Sequence, residues 1–182
     1  DRELSQPLTI VAAPGARKRI EELCEIAYPG SMKKILSTIV WNEKAQGSTK
    51  DGWKWNRFEV NHNEFVDPFG YSFESTDGAK FVHSGDSGPC EPLYSAIGDT
   101  DLVIIEMSVP EWVPSQEHHK PSDIQALSEQ YPEVKFIITH TYIDSKNSTK
   151  PKITADEFPH HPDNVIHAED RSHFRWRGKW IF

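Results

Sequence analysis

The 182-residue sequence predicts an α/β fold, and three features predict it: short β-type runs fill the middle of the chain, two continuous apolar runs follow, and segments of helical spacing alternate with them. Leu8–Ala13 is a β-type run closed by Pro14-Gly15, after which Ile20, Leu23, Cys24 and Ala27 recur at helical spacing through Arg17–Tyr28. Thr38–Asn42, Lys54–Asn61 and Tyr71–Glu74 read as strands, with Gly47–Gly52 and the loop around Asp67-Pro68 between them. Asp77-Gly78 is a hairpin signal leading into Ala79–His83.

Beyond that point the pattern changes. A helix at Glu91–Ile97, an apolar strand at Asp101–Met107, a helix at Ser122–Tyr131 and a second apolar strand at Val134–Thr139 alternate, which implies parallel pairing with helices over the sheet. Val165–Ala168 and His173–Phe182 read as the last strands. The loops Val109–Lys120 and Tyr142–Asp163 are long and polar, which suits functional surface better than packing. With no repeat, low-complexity stretch or linker in view, residues 1–182 are expected to form a single domain.

Six tryptophans and nine phenylalanines supply enough core material to argue against disorder. A net charge of −8 disfavours a freestanding electrostatic nucleic-acid binder, so a polyanionic substrate would need a local basic patch or a cationic metal. Cys24 and Cys90 are too few for a disulfide framework or a thiolate zinc site, so the expected setting is reduced and cytoplasmic. No apolar run reaches the ~20 residues of a membrane span, and no membrane partner is expected.

Two strands end in chemistry. The run through Phe81-Val-His-Ser84 delivers Asp86 between Gly85 and Gly88, and Phe136-Ile-Ile-Thr139 delivers His140. Parallel strands place such side chains on the same sheet edge, where α/β sheets bind ligands, although Gly-Asp-Ser-Gly also suits an ordinary turn.

In order along the chain, Gly85-Asp86-Ser87-Gly88-Pro89-Cys90, Asp101-Leu-Val-Ile-Ile-Glu106, His118-His119-Lys-Pro-Ser-Asp123 and Ile138-Thr-His140 resemble the second half of the metallo-β-lactamase superfamily, and within it ribonuclease Z and its relatives. Ala13-Pro14-Gly15 and His62 with Phe69-Gly70-Tyr71 fit the same layout, so the resemblance runs from about Leu8 to Asp170. It implies the C-terminal part of an αββα sandwich and a metal-dependent hydrolase. The substrate class it implies is RNA or a nucleotide-like phosphodiester, with lactone or thioester hydrolysis on the same fold as alternatives. It further implies two divalent ions, zinc first, with manganese or iron as alternatives. Carried over residue by residue, His62 and His140 resemble metal ligands, and Asp86 the carboxylate that bridges both ions. His119, just before the helix, resembles the histidine that stabilises the transition state or protonates the leaving group, and Glu106 the acid that supports it. Of the adjacent pair, His119 is preferred to His118 because it lies closer to the helix start at Ser122.

The superfamily's His-x-His-x-Asp-His signature is absent from the sequence. An N-terminal segment of the same polypeptide or a partner chain, including a homo-oligomeric partner, would supply the rest; otherwise the chain is a degenerate, non-catalytic binding subunit. His83, His160, His161, His167 and His173 read as ordinary polar residues, and Asp67, Asp123 and Asp144 as turn or cap residues. Trp176-Arg-Gly-Lys-Trp180 reads as edge packing before it reads as a base-stacking platform.

Overall fold

A computed structural model describes residues 7–141, 162–168, 171–177 and 180–181. The expected features at Asp144, His160 and His161, and most of the loop from Tyr142, lie outside the described residues, as do the side chains of the Trp176–Trp180 segment. The chain divides into two compact units, Asp1–Ala45 and Gln46–Phe182.

In the first unit, strand β1 (Thr9–Val11) pairs in parallel with β2 (Val40–Asn42), Thr9 opposite Val40. Parallel pairing needs a crossover, and helices α1 (Ala16–Ala27) and α2 (Lys33–Leu36) make it. Gly15 precedes α1 at φ +76°, a conformation in which glycine carries no Cβ penalty. The Glu43 carboxylate then accepts the Arg17 backbone N–H at 2.9 Å, satisfying one of the helix's open donors. That bond is the main reason the Glu43 carboxyl titrates below its ordinary range.

The second unit holds a seven-stranded sheet in the order β3 (Gln46–Ser48), β4 (Lys54–Glu59), β5 (Phe69–Glu74), β6 (Lys80–His83), β7 (Leu102–Glu106), β8 (Lys135–Thr139), β9 (Val165–His167). Pairing is antiparallel from β3 to β6 and parallel from β6 to β9. The switch falls where the sequence passes from hairpin signals to alternation with helices: α3 (Glu91–Ile97) joins β6 to β7, and α4 (Pro121–Gln130) joins β7 to β8. A separate antiparallel pair, β10 (Trp176–Arg177) and β11 (Trp180–Ile181), lies within His173–Phe182, which the sequence reads as one strand, while β9 joins the large sheet beside β8.

The core follows from register. Val82, Val103, Phe136 and Val165 form one rung across β6 to β9, each no more than 3% exposed. They cluster with Leu93 and Ile97 of α3 and Ile124 and Leu127 of α4, so the two helices cover this face. Ile138 sits two residues along from Phe136 and is likewise fully buried. Ile138→Val removes one methylene from this packing and is expected to cost about 1 kcal/mol in denaturant unfolding, with the slope unchanged. On the other face Trp55, Phe73 and Phe81 share a rung, and the Phe73 and Phe81 rings stack 4.4 Å apart.

β3 and α2 are not expected from the sequence. Gln46-Gly-Ser48 carries no apolar alternation; it pairs because the Trp55 ring lies over Gly47, where a Cβ would come within 2.7 Å of Cζ2. Among the described residues no helix is long and apolar enough to cross a membrane.

Candidate functional site

Three parallel strands end at the same sheet edge. β6 leads through Ser84 and Gly85 to Asp86, β7 ends in Glu106, and β8 leads into His140. Gly85 adopts φ +64°, with the Phe69 carbonyl where a side chain would start, so the turn that delivers Asp86 needs glycine. His140 itself has φ +55°, a left-handed conformation uncommon outside glycine. That turn brings His140 Nε2 to 3.7 Å from Asp86 Oδ2, with the two side chains 37% and 49% exposed.

Glu106 is buried and collects donors. Its Oε1 accepts the backbone N–H of His119 at 3.1 Å, that of Ser87 at 3.3 Å and Nδ1–H of His118 at 3.1 Å, while Oε2 takes the Ser108 hydroxyl. Burial pushes its carboxyl above the ordinary range, and Ser108, His118 and the His119 backbone N–H pull it back. One carboxylate thus ties the Asp86 loop to the loop carrying both histidines.

The adjacent histidines point to different places. The His118 ring lies 4.9 Å from that of His62 and 6.1 Å from that of His140, so these three form a row. His119 is fully buried behind it; its Nδ1–H donates to the Ser87 carbonyl at 2.5 Å, and the Tyr94 hydroxyl lies 3.4 Å from Nε2. Burial holds the His119 imidazole down to about pKa 4. The structure therefore brings His62, Asp86 and His140 to one area with His118, and sets His119 behind them, buried against Ser87 and Tyr94.

Tautomers follow from partners. A carbonyl only accepts, so His62 donates Nδ1–H to the Glu117 carbonyl at 3.1 Å and keeps its lone pair on Nε2. The Glu106 carboxylate fixes His118 the same way. An imidazole with Nδ1 held by a carbonyl or carboxylate is the arrangement metal ligands and proton-transfer groups share. Elsewhere His83 accepts the Gly85 N–H at 3.0 Å and closes the turn before Asp86, and His167 Nε2 meets the Thr141 hydroxyl at 2.9 Å.

The donor types suit a divalent ion, since imidazole and carboxylate are ordinary zinc ligands. Their number does not close a shell: among the described residues no three His, Cys, Asp or Glu stand close enough to hold an ion between them. Asp86 and His140 fit part of a metal centre.

No family model matches the chain. Ribonuclease Z of Methanosarcina acetivorans is 31% identical over 97 residues, which span 51% of this chain and 31% of that protein. The chain thus spans about a third of the length of the curated relative it matches. Among solved structures it superimposes on the isothiocyanate hydrolase from Delia radicum gut bacteria with a TM-score of 0.66 at 13% identity, covering 96% of this chain and 69% of that one. The metallo-β-lactamase fold protein YhfI from Bacillus subtilis gives a TM-score of 0.63 at 11% identity, over 99% and 67%. The long form of RNase Z from yeast gives 0.63 at 14%, over 92% and 28%. The chain has the metallo-β-lactamase fold, in part rather than whole. Within that fold, the sequence likeness is to ribonuclease Z, over the 97 matched residues.

Proposed function

We propose that this chain supplies part of the active site of a metal-dependent phosphodiesterase acting on RNA or a nucleotide-like phosphodiester. The observation that carries this reading is the placement of the Glu106-held His118 beside His140 and Asp86 at one sheet edge. Asp86 and His140 would hold divalent metal, zinc first and manganese or iron as alternatives, with His62 through Nε2 as a third candidate ligand. When bound, such ions acidify water and neutralise charge on a phosphoryl group. The remaining ligands come from outside the described residues, either elsewhere in the same polypeptide or in a partner chain, a second copy included. Both compact units are then parts of one metallo-β-lactamase domain.

His118 takes the role that spacing alone favoured for His119. Glu106 accepts its Nδ1–H and would stabilise the imidazolium formed when Nε2, which otherwise holds the lone pair, takes up a proton from water; that proton can then pass to the leaving oxygen of the substrate. His119, buried and bonded to the Ser87 carbonyl, holds the loops in place.

The test is hydrolysis of bis(p-nitrophenyl) phosphate and of a short single-stranded RNA by the full polypeptide carrying this chain, after saturation with zinc or manganese. Metal-dependent turnover of either supports the reading. Turnover confined to a lactone or thioester substrate would replace the phosphodiesterase assignment, and no turnover of any of them would leave a binding subunit. That second reading is favoured by one observation: among the described residues no three His, Cys, Asp or Glu stand close enough to hold an ion between them.

A further inference from the structure

We infer that Asn61, a residue outside the row of histidines, is the positioning residue that keeps His62, Asp86 and His118 in register; this rests on the functional reading given above. Three separate segments bring those side chains together, and Asn61 touches the other two. Its backbone carbonyl accepts the Gly88 N–H at 2.7 Å, forming an isolated bridge at the end of the Asp86 loop. Its side-chain Nδ2 donates to the Gln116 carbonyl at 2.8 Å, two residues before His118. The next residue, His62, donates Nδ1–H to the Glu117 carbonyl.

Gly88 makes the junction tight. A Cβ there would lie 1.8 Å from the Gln116 oxygen, so the peptides at 61, 88 and 116 meet with no side chain between them. The Gln116 carbonyl stands where that side chain would be, and the Asn61 amide is the hydrogen-bond donor that holds it there. Movement of the Gln116 peptide by an ångström would carry His118 away from both Glu106 and His62. Displacements of that size separate a productive site from an idle one.

Asn61 is itself exposed, and exposed substitutions ordinarily change stability little. A structural role and a positioning role therefore give different results. The variants are Asn61→Ala, which removes the donor, and Asn61→Asp, which puts an acceptor against the Gln116 carbonyl. Two readouts are taken on the full polypeptide. In metal-free, 15N-histidine-labelled protein, the ring nitrogens of His62 and His118 are expected to shift or split, with His173 unchanged and Tm within a few degrees of wild type. In metal-loaded protein kcat is expected to fall roughly tenfold to a hundredfold with KM little changed. Ring signals unmoved in both variants would overturn the proposal, as would moved signals with wild-type kcat. If wild type hydrolyses no phosphodiester, the functional reading fails, and the ring signals alone still decide whether Asn61 positions the histidines.

Discussion

Glu106→Ala is expected to cost roughly 3–5 kcal/mol of stability, because it leaves buried donors with nothing to bond. The Ser87 and His119 N–H groups, the His118 imidazole and the Ser108 hydroxyl all converge on this one carboxylate, which is 2% exposed. For a chain of this length that loss corresponds to a fall in Tm on the order of 10 °C. Glu106→Gln keeps the volume, and its amide oxygen can take the place of Oε1 while its NH2 donates to the Ser108 hydroxyl oxygen. It should melt between wild type and Glu106→Ala, while hydrolysis falls further than stability does because the negative charge beside His118 is gone. Thermal melts of the three proteins check this. An alanine variant that melts within a degree or two of wild type would show that water satisfies those donors and that Glu106 does not join the loops.

His119 is expected to make the fold acid-sensitive. Burial is the main cause of its low pKa, about 4 against an ordinary 6.5, and the Ser87 carbonyl and Asp123 only partly oppose it while His118 adds to it. The neutral imidazole is therefore favoured in the folded chain, whereas the unfolded chain binds a proton below about pH 6.5. The contribution is fully present above pH 6.5 and is lost as pH falls through 4, by up to roughly 3 kcal/mol. His119→Asn keeps an N–H for the Ser87 carbonyl and removes the titration. Between about pH 7 and pH 4.5 wild type should lose more Tm than the variant, the carboxylates being common to both. Equal losses would mean that His119 binds its proton equally well in the folded and the unfolded chain, so that burial does not lower its pKa.

The parallel half of the sheet was legible because β7 and β8 are continuous apolar runs flanked by helical spacing, and the positions of Asp86 and His140 followed from strand ends alone. β3 was not legible, since its pairing depends on a Trp55 ring that sequence spacing does not place over Gly47. Which ring of His118-His119 turns inward could not be read either. Both residues lie in a loop without periodicity, and Pro121 marks the helix start without saying which ring turns inward. What separates them is the buried Glu106, whose Oε1 takes the backbone N–H of one and the ring N–H of the other. Asn61 left no signal, because its partners are backbone carbonyl and N–H groups that any sequence possesses.

The central claim is that Asp86 and His140 are metal ligands, and the measurement that tests it most directly is bound metal by inductively coupled plasma mass spectrometry, with intact mass on the same sample. It compares the full native polypeptide with its Asp86→Ala and His140→Gln double variant. Divalent metal in wild type that is largely lost from a double variant still melting cooperatively is the expected result; metal absent from wild type, or retained equally by both proteins, would contradict it.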